Sequence, residues 1–327
     1  MSGMSFDAGG LIALAGLSTI QQRTALTGTA TFLDALVLCP GIHTQQRSTG
    51  LNGGEHPACA ALTTGYVFRV ENPAVVFFLQ QVGVTGHLTT LQVIKLDGGH
   101  AGASRLFSLT SNAPLLPCLA YGAAVLWGVS AIVLLTFSRD WGGLCVVLLF
   151  MAARLCNIVV VRRRVVTHWS GASEPGAKGD LLVLLSQDRW VRIRGAVDHL
   201  KAVTSGRWLR DESTFESWLT ALATLVVYAA AALVSKATEY GKLVILALLC
   251  GSAGLLALAN AGTPGLTMHG HHIKVVGASR KYARRLLLAE ELIEESGRDD
   301  WAVRMGMIGS NMKRSTAGQA QQGPVIM

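Results

Sequence analysis

The sequence is poor in charged and aromatic residues, and it lacks the short motifs that mark the common enzyme families. Only 15% of its 327 residues are charged and 6% are aromatic, whereas soluble domains carry about 25% charged residues. It contains no G-x-S-x-G, no P-loop, no G-x-G-x-x-G after a strand and no H-E-x-x-H. The sequence therefore names no catalytic residue, indicates no cofactor and gives no positive evidence for an enzyme.

Cysteine pairs of the metal-binding or redox type are also missing. None of the six cysteines forms a C-x-x-C, which excludes a zinc ribbon or a thioredoxin-type site. The segment His269-Gly270-His271-His272 is a single histidine cluster, and the other histidines form no second one. Since metal sites need three or four ligands in fixed geometry, we interpret this segment as a solvated turn and predict no metal site.

What the chain does have is a set of long apolar segments in its last two-thirds. A membrane-spanning helix needs about 20 mostly apolar residues to cross roughly 30 Å of hydrocarbon. Only one charge, Arg154, lies inside these segments, and the mean hydropathy of the whole chain is +0.41. The predicted spans are Leu115–Phe137, Trp141–Val161, Trp218–Ser235 and Leu243–Asn260.

The spacing of the spans predicts an all-α membrane protein with four transmembrane helices in two antiparallel hairpins and small β-containing extramembrane segments. The hairpins cover residues 115–161 and 218–260, and their connections are short enough to force antiparallel neighbours. A basic loop at 162–217 separates them, and a tail covers 263–327. An N-terminal extramembrane region, mixed or partly disordered, covers 1–112.

The excess of basic residues that gives the net charge of +8 lies in the segments next to the predicted membrane spans. Residues 1–112 are neutral, whereas the loop at 162–217 has ten basic residues against seven acids and the tail has nine against six. Basic residues directly after a span mark the cytoplasmic side, so we expect the N-terminus, the loop and the tail to be cytoplasmic. No nucleic-acid-binding signature accompanies the charge, and no nucleic-acid partner is predicted.

Segments between the spans carry local patterns. The N-terminal region has extended candidates at 66–70, 74–82 and 87–96. In the loop, Leu181–Leu185 is an apolar run and the chain alternates from Arg189, which predicts a small β element with a basic, Trp-bearing face. The tail predicts a charged helix near 278–296 and a disordered end. Gly9–Leu17 is too short, and lacks the preceding basic residues, for a signal peptide.

Two groups of residues are candidates for substrate or lipid contact. Arg154 and Asn157 share one face of the second span, and a charge within the bilayer is costly, so it marks either a functional group or a side chain that reaches the interface by snorkelling. Arginines in the loop offer charge to anionic headgroups. That second group is Arg162, Arg163, Arg164, Arg192 and Arg194.

Small residues at spacing four predict close helix packing. They are Ala120, Ala124 and Gly128 in the first span, and Ala247 and Gly251 in the fourth. Such faces let helix backbones approach each other. We expect packing within the bundle, with a homo-oligomer or another membrane protein as the alternative partner and lipids as the general one.

Three functions stay open on these observations. The first is a non-enzymatic scaffold or recruitment factor at a cytoplasmic membrane face, favoured by the basic loop and the charged tail. The second is a membrane-embedded enzyme or enzyme accessory that acts on a lipid-like substrate at Arg154 and Asn157. The third is a small oligomeric transporter or channel.

Overall fold

A computed structural model of the protein describes residues 8–96, 115–166 and 171–309. These residues form four long apolar helices and an eight-stranded sheet. The helices are α1 (Ala8–Ala13), α2 (Thr19–Thr27), α3 (Pro73–Val82), α4 (Leu115–Phe137), α5 (Trp141–Arg164), α6 (Val197–Thr204), α7 (Thr214–Leu233), α8 (Glu239–Ala261), α9 (Arg285–Ser296) and α10 (Asp300–Arg304). The strands are β1 (Ala58–Ala61), β2 (Val67–Arg69), β3 (His87–Lys95), β4 (Lys178–Leu185), β5 (Arg189–Ala196), β6 (Gly265–Met268), β7 (His271–Val275) and β8 (Arg280–Lys281). Short 3-10 helices lie at Phe32–Leu36, Ile42–Asn52 and Val234–Lys236.

The four long helices are long and apolar enough to cross a membrane. They coincide with the four predicted spans, although α5 continues to Arg164 and α7 begins at Thr214. Local capping fixes where they begin: the Asp140 side chain accepts from Gly143 N at the start of α5, and Ser213 and Glu216 form a capping box at the start of α7. The apolar composition of the sequence alone therefore predicts the four long helices.

The all-α class needs correction, because the extramembrane segments form one sheet. Its strand order is β2-β1-β4-β5-β3-β7-β6, with β8 also paired to β3. The central strand β3 runs parallel to β5, with Leu91 opposite Ile193, and antiparallel to β7, with Leu91 opposite Val275. The N-terminal region, the loop between α5 and α7 and the tail after α8 all contribute strands. These three pieces thus lie together at one end of the helix bundle.

Helix pairing in the bundle does not follow the chain order. The closest neighbours are α4 with α8 and α5 with α7, so each helix packs mainly on one from the other hairpin. Trp127 of α4 donates from Nε1 to the carbonyl oxygen of Ala247 on α8 at 3.1 Å. At the end away from the sheet, Oδ2 of Asp140 accepts from N and Oγ1 of Thr238 at 3.1 and 2.7 Å. This carboxylate joins the α4–α5 turn to the α7–α8 turn.

Residues 8–52 pack inside the bundle, which differs from the expected extramembrane placement of 1–112. Ala13, Ile20 and Val37 are buried in the same apolar core as the long helices. The sequence pattern did not predict this, because the apolar residues of this segment are interrupted by polar ones and fill no 20-residue window. The N-terminal region therefore has two parts, one within the bundle and one, from β1 to β3, within the sheet.

Local structure in the sheet layer corrects two further predictions. The segment 74–82, expected to be extended, is helix α3. Asn72 caps it by accepting from Ala74 N and Val75 N, and Pro73 occupies the first position. Six of its ten residues are buried, and burial on several sides removes the helical period from the sequence. The extended segments at 66–70 and 87–96 contain β2 and β3.

The tail also differs from its predicted outline. Its charged helix begins at Arg285 and ends at Ser296, whereas Arg280 and Lys281 pair with β3 as strand β8. The end predicted to be disordered contains α10, whose Trp301 is fully buried against the outer face of the sheet. A buried indole supplies the apolar area that fixes this short helix. Residues 310–327 lie outside the described part of the chain.

Candidate functional site

Arg154 is buried between α5 and the N-terminal segment. It is 1% exposed, so the guanidinium does not reach the interface by snorkelling. Its Nε donates to the carbonyl oxygen of Asp34 at 3.3 Å, and its Nη1 donates to Oε1 of Gln45 at 2.7 Å. The Asp34 carboxylate also attracts this cation electrostatically. The one charge inside the predicted spans is therefore held by the chain itself.

The Asp34 carboxylate is held from both of its oxygens. Oδ1 accepts from the phenolic hydroxyl of Tyr121 at 2.7 Å, and Oδ2 accepts from N and Oγ1 of Thr31 at 2.6 and 3.0 Å. Hydrogen bonds to a charged acceptor are stronger than neutral ones, and they compensate for removing the charge from water. These contacts fix the 3-10 helix Phe32–Leu36 against α4 and α5.

Asn157 and Arg164 continue the same polar face of α5 towards the sheet. Asn157 Nδ2 donates to the carbonyl oxygen of Ile42 at 2.9 Å, and Gln46 Nε2 donates to the carbonyl oxygen of Asn157 at 3.0 Å. Arg164 Nη1 donates to Oε1 of Gln46 at 3.1 Å and to Oε1 of Glu212 at 2.8 Å. We call this set the buried polar column. Its members are Asp34, Gln45, Gln46, Tyr121, Arg154, Asn157 and Arg164.

The column is a packed internal network, and its hydrogen-bonding groups point at one another. Two clefts that the structure does form are lined by other residues. One, of about 260 Å³, lies beside α3 and the segment before α7; the other, of about 500 Å³, lies where α8 meets the sheet. The first cleft is lined by Thr49, Glu71, Pro73, Arg207, Trp208 and Leu209. The second is lined by Phe78, Gln81, Val82, Asn260, Ala261, Thr263, Pro264 and Val275.

Arg162 and Arg163 lie at the sheet end of α5 and reach outwards over exposed aromatic rings. The guanidinium of Arg162 lies 4.6 Å from the ring centre of Phe32 and donates to the carbonyl oxygen of Ala30 at 3.1 Å. That of Arg163 lies 5.9 Å from the ring centre of Phe215 and 3.4 Å from Oε1 of Glu216. Cations stacked on exposed rings suit the boundary between hydrocarbon and headgroups.

Arg192 and Arg194 lie at a third location, on the outer face of the sheet, which is the face that α9 and α10 partly cover. Both pair with Asp180 and Glu295, at nitrogen–oxygen distances of 2.6 to 3.6 Å. Arg192 is 7% exposed, whereas half of the Arg194 side chain is accessible. Trp190, expected on a basic surface, is buried under the tail helices. The seven predicted contact residues thus divide into a column, an interfacial pair and a sheet pair.

The small residues of α4 and α8 receive other parts of the same chain. A Cβ at Gly128 would overlap the carbonyl oxygen of Leu36, and Ala120 and Ala124 are buried on the same side of α4. On α8, a Cβ at Gly251 would lie 2.6 Å from Nε1 of Trp127. The face on α4 therefore admits the N-terminal segment, and the face on α8 admits the indole ring of Trp127 from α4.

The histidine cluster spans the β6–β7 turn and the start of β7, and His271 is buried while His269 and His272 are half-buried, contrary to the expectation of a solvated turn. The ring centres of His271 and His199 are 4.5 Å apart, and both ring nitrogens of His271 are enclosed. Burial, and next the nearby His199, lower the pKa of His271 to about 4. Across the described residues, no three potential metal ligands come together.

Several members of the column were not predicted from the sequence. Asp34 interrupts an apolar segment and Tyr121 lies in a predicted span, but neither pattern indicates a partner. Gln45 and Gln46 fall in a polar segment of the sequence, and their burial gives them their role. A charge such as Arg154 signals that acceptors exist somewhere, without indicating where.

Comparison with known proteins assigns the chain to no family. No family model matches it, and no curated protein or solved structure does either.

Proposed function

We propose that this is a multispan membrane protein that holds a folded sheet domain at the cytoplasmic face and recruits an acidic peripheral protein there, without catalysis. The observation that carries the proposal is the composite sheet. Its strands come from three segments separated by membrane helices, so the domain is fixed to the bundle at several points. Such a platform presents a surface in a constant orientation to the membrane.

Part of the outer sheet face supplies the docking surface. α9 and α10 cover the part formed by β1, β4 and the start of β5, where Trp190 and Leu182 are buried. Beyond this part, Lys274, Gln92 and Arg194 are neighbours in one row across β7, β3 and the later half of β5, and all three are exposed. We call this row the basic row. Lys274, and the exposed part of Arg194 beside its partners Asp180 and Glu295, offer positive charge on a flat face to the carboxylates of a partner. Such complementarity steers association and selects against basic partners.

The cytoplasmic orientation is supported by the charge next to the spans. Arg162, Arg163 and Arg164 form the last turn of α5 at the sheet end of the bundle, and basic residues concentrate on the cytoplasmic side of membranes. Arg162 and Arg163, with Phe32 and Phe215, also suit contact with anionic lipid headgroups. Each basic group near such a surface contributes about 1 kcal/mol.

The two alternative functions have less support from the geometry. Arg154 and Asn157 were the residues for a lipid-directed enzyme, and their hydrogen-bonding groups are engaged by the N-terminal segment. A pore through the bundle would need open space among the four long helices, and residues 8–52 occupy that region with the buried side chains of Ile20, Val37 and Ile42.

The test is proximity labelling around the full-length protein in its native cells. A labelling enzyme fused at the C-terminus marks proteins near the sheet, for the wild type and for a variant with Arg194→Glu and Lys274→Glu. The matched control is Arg69→Glu with Lys281→Glu, which reverses the same number of exposed charges away from the basic row. Expression and membrane insertion of all three forms are compared by quantitative blotting.

We expect the basic-row variant to lose at least one acidic soluble protein that the wild type and the control variant both retain. Direct binding of that protein to the purified chain in nanodiscs then falls at least tenfold in the variant. An identical labelled set for all three forms would overturn the proposal.

A further inference from the structure

The first two helices lie lengthwise against the bundle, alongside α8, with one side of α1 exposed. Near the start of α1, a Cβ at Gly9 would lie 3.5 Å from Cγ1 of Val234 and 4.0 Å from Cγ2 of Ile245. At the start of α2, Nδ2 of Asn260 donates to the carbonyl oxygen of Thr19 at 2.8 Å. Ile245 and Asn260 are fifteen positions apart on α8, which is about 22 Å of helical rise. The chain covers that depth between Gly9 and Thr19.

The two ends of this segment lie at opposite ends of the bundle. Val234 begins the 3-10 turn that joins α7 to α8, at the end away from the sheet. At the other end, Trp208 donates from Nε1 to the carbonyl oxygen of Gly28 at 2.9 Å. Gly28 also fits against the carbonyl oxygen of Thr267 in strand β6, where a Cβ would overlap that oxygen. Residues 8–28 therefore run from the α7–α8 turn to the sheet.

The break between α1 and α2 is covered by protein on one side. There Gly41, with a φ of 95°, lies directly over the carbonyl oxygen of Leu17, where any side chain would overlap it. On the other side, residues 15–17 are exposed. Irregular backbone within a bilayer needs partners from the protein for its polar groups, and local bonds from Leu14 N to Leu11 O, from Ala15 N to Ile12 O and from Leu17 N to Ala15 O supply part of them.

We infer that α1 and α2 form a fifth, broken crossing of the membrane, so that the N-terminus lies on the opposite face from the sheet. This replaces the expectation from the sequence that the N-terminus, the loop and the tail share one side. Twenty-one residues from Ala8 to Gly28 match the length of about 20 that a crossing needs. The inference requires that the four long helices span a membrane, and it is independent of the proposed recruitment function.

Glycosylation tagging tests the inference on the otherwise unaltered full chain. The sequence contains no N-x-S/T acceptor, so the background is zero. An acceptor tag on a flexible linker is placed before Met1, after Met327 or, in a third form, between Gln187 and Asp188 in the exposed β4–β5 turn. Each form is synthesised with microsomes and then treated with external protease. A lumenal tag is glycosylated and protected, and a cytosolic tag is digested, so both locations give a signal.

The expected result is that the N-terminal tag reports one side and the other two tags report the opposite side. If the N-terminal tag and the C-terminal tag report the same side, the fifth crossing is overturned. If the tag within the turn and the C-terminal tag report different sides, the C-terminal tag is taken as the position of the sheet, because a terminal tag does not interrupt the fold. A glycosylated C-terminal tag with a digested N-terminal tag would support the crossing and contradict only the cytoplasmic orientation of the proposed function.

Discussion

The phenolic oxygen of Tyr121 lies 2.7 Å from Oδ1 of Asp34 and connects α4 to a segment 87 positions earlier in the chain. Tyr121 is 4% exposed, and Asp34 receives its other two hydrogen bonds from Thr31. The bond attaches the N-terminal segment to the first long helix, at the end of the buried polar column opposite Arg164.

Loss of that hydroxyl should destabilise the bundle without changing its shape. Tyr121→Phe leaves one lone pair of a buried carboxylate without a donor, for which we expect a loss of about 1–3 kcal/mol in the free energy of unfolding. Reversible unfolding in mixed detergent–SDS micelles, followed by tryptophan fluorescence, measures it. Tyr240→Phe is the control, because Tyr240 is 48% exposed and should change stability by less than about 0.5 kcal/mol. Equal stability of the two variants would contradict the role of this bond.

Arg154 and Asp34 should behave as a coupled pair. Arg154→Met removes a buried cation and leaves acceptors behind, for which we expect a loss of about 3–5 kcal/mol. Asp34→Asn added to Arg154→Met should cost less than the sum of the single variants by about 0.5–3 kcal/mol. The same SDS titration on all four forms gives this difference. Exposed Arg139→Met serves as the control for loss of a positive charge, and strict additivity would show that the two residues act separately.

The contact between the two turns depends on the absence of a side chain at Gly241. A Cβ there would overlap Oδ2 of Asp140, the oxygen that accepts from Thr238. We expect Gly241→Ala to lower the unfolding temperature, at a cost of about 1–3 kcal/mol for the disturbed buried carboxylate. Gly254→Ala, on the same helix with open space around its Cα, should equal or exceed the wild type, since alanine favours helix. Scanning fluorimetry in one detergent ranks the three proteins, and a Gly241→Ala midpoint at the wild-type value would refute the prediction.

His271 should make the sheet sensitive to mild acid. Its pKa is lowered to about 4 by burial and then by His199, with His269 and Lys95 adding positive charge nearby. The unfolded chain binds a proton near pH 6.5, so this contribution to stability is complete above that pH. It is lost as the pH falls from about 6.5 to about 4, by roughly 3 kcal/mol at most.

Thermal unfolding from pH 7.5 to pH 4.5 measures that loss. His271→Gln removes the titrating group, and its unfolding temperature should fall less over this range than that of the wild type. His87→Gln changes a half-buried histidine at the other end of β3 and is the control. Parallel pH profiles of wild type and His271→Gln would exclude His271 as the source of the acid sensitivity.

The four long helices follow from composition, whereas the sheet does not. A run such as Leu115–Phe137 is apolar on every side, and the bilayer length alone fixes its extent. The strands are short, and β3 pairs with β5 across two long apolar helices of the chain and with β7 across four. No local pattern encodes such a pairing. Segment 74–82 was assigned to the wrong element because its burial conceals the helical period.

The candidate site was likewise predicted only in part from the sequence. Arg154 and Asn157 were predicted as one polar face from their spacing, and they do lie on one buried face of α5. Their partners come from residues 34–46, more than 100 positions away, and identifying them required the three-dimensional path of the N-terminal segment. Arg192 was predicted as a surface cation, but Asp180 on the neighbouring strand neutralises it.

The origin of the strands sets an order for biosynthesis. β3 leaves the ribosome early, but β5 follows only after α4 and α5, and β7 only after α7 and α8. Until then the central strand has open edges, which are sites for incorrect pairing and aggregation. The sheet can therefore be completed only after every long helix has been synthesised, and a chain stopped before β6 would keep an unpaired edge on β3.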